Sequence, residues 1–253
     1  MTALPNADGR PLNVLLAEDD AFMRSIIANL IRTSARCDVV VAGNGREAVD
    51  RLTAGDMPIG IALLDFVMPQ GNGLEVAQRI RVGLDRVPRD LPIAMLTGRR
   101  DAGLVRAAME LDVNAYVVKP VTKEGLFSRL ERARAIPIKL KDPDAYRAVD
   151  IPNPWGPERP KRAVAPAEVL PEPAPCAAAP RITRVEKRID ALLPGDLLAR
   201  SVRGHSGEIL LPGHIRLDRA LIARLSDLAE MGMIPPVVFT VEKEAPGNGP
   251  GNE

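Results

Sequence analysis

The chain has 253 residues, with 34 basic side chains against 33 acidic ones and a formal net charge of +1. That balance removes the electrostatic reason to expect nucleic acid or an acidic membrane surface as a partner. Two distant cysteines, Cys37 and Cys176, provide neither a zinc spacing nor a disulfide framework, no apolar run reaches the ~18 residues of a membrane helix, and Met1–Arg10 lacks the apolar core of a signal peptide, so a cytoplasmic protein without membrane insertion is expected.

Short apolar runs recur five times in the first half, at Val14–Ala17, Asp38–Val41, Ile61–Leu64, Ile93–Leu96 and Ala115–Val118. Each has the length and composition of a strand buried on both faces. Helical spacing fills the gaps. Phe22, Ile26, Ile27, Leu30 and Ile31 predict one face of a first helix opened by Asp20. Asn44 and Glu47 form a capping box for a second, with Ala48, Val49 and Leu52 as its apolar positions. Leu74, Val76, Ala77 and Ile80 mark a third helix, Leu104, Val105, Ala108 and Leu111 a fourth, and Leu126, Leu130 and Ala133 a fifth. Alternating strands and helices predict a parallel sheet covered on both faces, with function at the carboxyl ends of the strands.

The composition changes near residue 137. Ile151 to Pro180 holds nine prolines and seven alanines with few large apolar residues, too little to offset the entropy of ordering. It predicts an extended, semi-rigid linker between independently folding halves. The expected divisions are 10–137, a linker over 138–180, and a small unit over 181–245. In that last unit, Pro194-Gly195 and Pro212-Gly213 mark turns, and Gly204 to Gly207 predicts a hairpin turn into Glu208–Leu211. Asp218 caps a helix with apolar positions Leu221, Ile222, Leu225 and Leu228, and Pro236 to Val241 is a closing strand. The prediction is a small β-rich α+β domain whose modest core relies on a partner or on a second copy in a homodimer.

Polar residues gather where the strands of the first half end. Glu18-Asp19-Asp20 follow the first strand, and Asp65, Thr97 and Lys119 end the third, fourth and fifth. Carboxylates crowded at one rim repel each other and raise each other's pKa. A hard divalent cation with oxygen ligands resolves the conflict, and magnesium needs only a few carboxylates. Capping of the following helix is the other role open to Glu18-Asp19-Asp20. A carboxylate held directly after a buried strand, with a cation beside it, suits a nucleophile that forms an acyl phosphate, and Asp65 is that residue.

Leu16-Ala17-Glu18-Asp19-Asp20, Leu64-Asp65-Phe66-Val67-Met68-Pro69 with Gly73, Leu96-Thr97-Gly98 and Ala115-Tyr116-Val117-Val118-Lys119-Pro120 together resemble the receiver domain of two-component response regulators, over about residues 12–135. The resemblance implies a flavodoxin-like (βα)5 fold with strand order 2-1-3-4-5. It implies phosphorylation of Asp65 by a histidine kinase or a histidine phosphotransfer protein. Mg2+ would be held by Glu18, Asp19, Asp65 and the backbone carbonyl of Val67. Thr97 would bind a phosphoryl oxygen, Lys119 would pair with the phosphoryl group, and Tyr116 matches the switch aromatic. Gly98 removes a side chain where the phosphoryl group enters, and Pro120 permits a cis peptide that aims Lys119 into the site.

The second half resembles a small module found beside HD-GYP-type phosphodiesterases, through Leu193 to Ala199, Gly207 to Leu211 and the Leu-rich helix. It shows no helix-turn-helix pair and no catalytic signature. His205 and His214 stand apart from any cysteine or carboxylate cluster. The expected function is a response regulator, not an enzyme, that acts through a C-terminal module without binding DNA. The alternatives are a phosphate sink or relay receiver with a passive C-terminal part, and a nucleotide-signalling effector.

Overall fold

The computed structural model describes residues 11–33, 37–55, 57–98, 102–153, 182–204, 207 and 209–243. Five strands, β1 (Leu12–Ala17), β2 (Cys37–Ala42), β3 (Ile61–Asp65), β4 (Ile93–Thr97) and β5 (Ala115–Val118), form one parallel sheet in the order β2-β1-β3-β4-β5. Helices α1 (Ala21–Arg32), α2 (Gly45–Thr53), α3 (Gly73–Val82), α4 (Ala102–Glu110) and α5 (Lys123–Ala135) alternate with them. This is the flavodoxin-like receiver topology expected from the sequence.

Successive strand residues face opposite sides, and the apolar runs therefore feed two cores. Leu12, Val14, Leu16 and Leu63 pack with Ile27, Ile31, Leu126 and Leu130 of α1 and α5. Leu15, Ala17, Leu64 and Met95 pack with residues of α2, α3 and α4 on the other side. Burial on both faces explains why β1, β3 and β4 carry no alternation. Asn44 accepts from Glu47 N at 2.8 Å, and Glu47 reaches back to Gly43 N at 2.8 Å. The reach back goes to the residue before the cap, one position earlier than a strict capping box requires.

One helix stripe differs from its expected position. Ile27, Ala28 and Ile31 are the buried residues of α1, whereas Phe22 is 74% exposed and Ile26 lies at the surface. Phe22 and Ile26 are four residues apart and share a face, but Ile27 and Ile31 form the neighbouring stripe that meets β1. The sheet can cover only one of the two.

The remainder of the described chain comprises α6 (Pro143–Arg147), β6 (Ile182–Arg188), a 3-10 turn (Ile189–Ala191), β7 (Val202–Arg203), β8 (Ile209–Leu211), α7 (Arg219–Glu230) and β9 (Val237–Lys243). β6 pairs with β9 and β7 with β8, both antiparallel. Gly195 has φ of 101°, as the Pro-Gly turn demands, and Asp218 caps α7 by accepting from Leu221 N at 2.7 Å. His205, Cys176 and the proline-rich stretch 154–180 lie outside the described residues.

The described beginning of the expected linker is packed. Tyr146 on α6 is fully buried, and its hydroxyl donates to Asp112 Oδ2 at 2.8 Å while accepting from Lys141 N at 3.1 Å. Gln78 on α3 donates to the carbonyls of Tyr146 and Val149 at 2.9 and 3.2 Å. Nor do the two halves stand apart. Leu210, Leu225, Leu228 and Met231 belong to the same continuous core as Met109, Leu111 and Tyr116. The second half is too small to bury its own apolar face, and the outer face of α4 and β5 supplies the missing surface. No helix of the described residues is long and apolar enough to cross a membrane.

Candidate functional site

The parallel sheet brings the carboxyl ends of β1, β3, β4 and β5 to one rim. Glu18 follows β1 and donates its own N–H to Ala42 O at 3.1 Å, so its backbone is fixed to the end of β2. Arg24, one turn into α1, donates to the carbonyls of Glu18 and Asp19 at 2.6 and 3.2 Å. This tie pins the acidic loop and was not legible as part of the site. Asp20 does not join the cluster. Its carboxylate caps α1, accepting from Phe22 N at 2.8 Å and Met23 N at 3.0 Å, and these backbone donors hold its pKa below the ordinary carboxylate value.

Asp65 ends β3 and is buried. Its backbone is held by a close approach. A Cβ on Gly73, at the start of α3, would lie 2.1 Å from the carbonyl oxygen of Asp65 and 2.9 Å from Met95 Cε. Only glycine lets α3 begin against the end of β3. Gly98 is different: an added Cβ there would meet only the side chain of Lys119, at an ordinary 3.9 Å. Packing of the described residues therefore does not require that glycine.

Lys119 lies just beyond β5, across a cis Lys119–Pro120 peptide. Its Nζ sits 2.9 Å from Asp65 Oδ2 and 2.7 Å from Glu18 Oε2. Burial alone would lower its pKa, but the two carboxylates outweigh it and raise the ammonium above its usual value. For Glu18, which is 1% exposed, burial is the largest influence and raises the carboxyl; the nearby Asp65 charge adds to this, and Lys119 opposes it. Thr97 ends β4, is buried, and sits in register with Val118; its carbonyl accepts from Lys119 N at 2.8 Å. Val67 lies two residues past the end of β3, with its side chain against the core.

Glu18, Asp19 and Asp65 each offer a carboxylate oxygen within 4.8 Å of the others. Against one ammonium, three carboxylates leave a surplus of two negative charges. Glu18 Oε2 is buried, with the Lys119 ammonium 2.7 Å away. A set of hard oxygens with surplus negative charge fits a divalent cation such as Mg2+. The structure thus brings Glu18, Asp19, Asp65, Thr97 and Lys119 to one rim.

Tyr116 lies elsewhere. It is on β5 facing α4, fully buried, and beneath α7. Its hydroxyl has no hydrogen-bond partner among the described residues, and burial drives its pKa upward. Another polar residue, unnoticed in the sequence, organises the opposite end of the sheet. Arg81 is fully buried and donates to the carbonyls of Leu111, Arg89, Leu91 and Asp112 and to Asn114 Oδ1. It anchors the long connection before β4, residues 83–90. Nothing in the spacing of α3 distinguished Arg81 from a solvent-facing arginine.

Comparison with known proteins addresses the first half of the chain. Residues 14–131 match the response regulator receiver domain. The chain is 34% identical over 120 residues to a chemotaxis protein CheY homolog of Campylobacter jejuni, covering 47% of this chain and 90% of that protein. It is 32% identical to chemotaxis protein CheY1 of Helicobacter pylori, over 47% of this chain and 94% of that one. A solved structure of the chemotaxis response regulator CheY4 of Vibrio cholerae aligns with 24% identity and a TM-score of 0.43, covering 49% of this chain and 98% of its own. With an acidic rim assembled on the expected strand ends, and relatives matched over nearly their whole length, the chain belongs to the CheY-like response regulator receiver family.

Proposed function

We propose that the protein is a response regulator of a two-component phosphorelay, phosphorylated on Asp65. The observation that carries this reading is Asp65 itself: a buried carboxylate at the end of a central strand, 2.9 Å from an ammonium and within 4.8 Å of two further carboxylates, Glu18 and Asp19. In the transfer, a carboxylate oxygen of Asp65 attacks the phosphorus of a phosphohistidine on a histidine kinase or phosphotransfer protein. The P–N bond breaks, its electron pair stays on the imidazole, and an acyl phosphate forms. Glu18, Asp19, Asp65 and the Val67 carbonyl hold Mg2+, which when bound offsets the charge of the incoming group. Thr97 binds a phosphoryl oxygen. Lys119 gives up its contact with Asp65 and pairs with the phosphoryl group.

The domain plan 10–137, 138–180 and 181–245 belongs to the same proposal, with Tyr116 as the switch residue. The C-terminal unit is a protein-interaction module related to the small domain beside HD-GYP-type phosphodiesterases, and it neither binds DNA nor catalyses a reaction. The described residues show no second cluster of carboxylate, histidine and cysteine ligands besides the acidic rim. The protein works in the cytoplasm.

Incubation with acetyl phosphate, followed by intact mass, tests the core of the proposal. One phosphoryl group per chain is expected with Mg2+ present, and none in excess chelator or in Asp65→Asn. Labelling that persists in Asp65→Asn would move the acceptor elsewhere. Labelling that is undiminished by chelator would remove the metal from the reaction.

A further inference from the structure

β5 is the outermost strand of the parallel sheet, so its free side presents backbone N–H groups that need partners. One of them is occupied from outside the receiver. Tyr116 N donates to Asp227 Oδ2 of α7 at 3.1 Å. The Asp227 side chain is fully buried, which is unfavourable for a carboxylate unless it is fully partnered. Its partners are the guanidinium groups of Arg129 and Arg132, both on α5, together with the Tyr116 amide. Glu230, three residues on and on the same face of α7, pairs with Arg129 as well. A turn earlier, Arg224 reaches back to Asp112 at 3.2 Å. Leu225 and Leu228, both fully buried, complete the contact.

The chemistry of this contact is directional. At the Tyr116 edge the receiver contributes cations and a backbone donor and the helix an acid pair, whereas one turn earlier the sense reverses, with Arg224 of the helix on Asp112 of the receiver. An apolar face alone would tolerate many registers of α7. A buried carboxylate on a strand-edge amide tolerates one, because a shift of a single residue swings Asp227 about 100° around the helix axis and leaves it unpaired.

We infer that the outer edge of the receiver, made of the Tyr116 amide with Arg129 and Arg132, is an acceptor for a helix carrying an acid pair three residues apart. The chain's own α7 fills that acceptor in cis. Any protein that reads this face of the receiver must displace α7, so the C-terminal helix is an autoinhibitory cap as well as a structural element. The inference rests on the docking geometry and does not depend on the chemistry at Asp65.

Amide hydrogen exchange on the full chain tests it, with a fluorescent peptide spanning residues 217–232 as the probe. In the wild type, Tyr116 should be strongly protected and the peptide should not bind. In Asp227→Arg, Tyr116 exchange should accelerate at least tenfold while the amides of β1 and β3 stay protected, and the peptide should bind. The same peptide carrying Asp227→Arg should fail to bind. If Asp227→Arg loses protection throughout β1 and β3, the isosteric Asp227→Asn, which removes the charge alone, is the deciding variant, with the same direction expected in both readouts. Unchanged Tyr116 exchange in the deciding variant would overturn the inference. So would peptide binding as tight to the wild type as to the variant, or an uncovered Tyr116 with no peptide bound.

Discussion

Gly73 is the residue on which the placement of Asp65 turns. An alanine there would put its Cβ 2.1 Å from the Asp65 carbonyl oxygen, and that contact is with backbone, which cannot rotate away. Gly73→Ala is expected to cost about 1–3 kcal/mol by overpacking, read as a lower urea midpoint, and to shift the backbone amide signals of Asp65 and Phe66. Lys119 works in the opposite sense on charge. Its side chain is 21% exposed, and its ammonium offsets two carboxylates at once. Lys119→Ala is expected to lose about 2 kcal/mol of stability in the absence of divalent cations, the scale of a charged hydrogen bond. It should bind Mg2+ several-fold more tightly than the wild type, because the repulsion left between Glu18 and Asp65 is then relieved by the metal alone. Titration calorimetry would show it; weaker Mg2+ binding in the variant would mean that the carboxylates are not the ligands.

The two tyrosines carry a pH signature, and they are the only two in the chain. Burial pushes both phenols above the ordinary value of 10.0, with the Asp112 contact adding to the effect at Tyr146. The native state therefore keeps these protons when the unfolded chain has released them. Their contribution to stability is complete below pH 10 and is lost as pH rises from there toward the native values. The slope is about 1.4 kcal/mol per pH unit for each tyrosine. Absorbance at the tyrosinate band should stay flat until the protein unfolds and then rise for both residues together. A tyrosine that ionises near pH 10 in the folded protein would show that its cover opens.

At the scale of elements, strands were the easier reading. Their apolar runs are short, continuous and bounded, as burial on both faces requires, and all five fall where the sequence places them. Helix faces are harder, because a pattern such as Phe22, Ile26, Ile27, Leu30 and Ile31 in α1 offers two adjacent stripes and only contact with β1 chooses between them. The short helix α6 was hidden altogether. Its five residues form a helix too short to hold itself together, and what holds it is the buried Tyr146 against α3 and Asp112. Tyr146→Ala should accordingly cost about 3–5 kcal/mol, the range for removing a buried aromatic ring. It should also release residues 138–153 to protease. Resistance of that segment in the variant would show that Gln78 and the backbone suffice.

For the whole molecule, the shared core predicts a single unfolding event. The α7 docking and the continuous apolar layer from Met109 through Tyr116 to Leu228 couple the halves despite the proline-rich stretch between them. Calorimetry should give one transition, with calorimetric and van't Hoff enthalpies that agree. Truncation after residue 153 should lower the melting temperature of what remains, since it uncovers Tyr116 and leaves Arg129 and Arg132 without Asp227. Two separate transitions in the full chain would show that the contact is weak compared with either half alone.

Much of the candidate site could be read directly from the sequence. Glu18, Asp19, Asp65, Thr97 and Lys119 each follow an apolar run, and a parallel sheet necessarily delivers the ends of its strands to one rim. Strand position is a local property, so period and composition determine it. The rest depended on long-range packing. Arg81, Arg224 and Asp227 look like ordinary charged positions on amphipathic helices, and their burial is decided by residues 8 to 112 positions away. Whether the proline-rich stretch separates two bodies or merely connects them was likewise beyond local reading. Composition governs how the connecting chain behaves, but the apolar area left open at the edge strand β5 decides where the far end comes to rest.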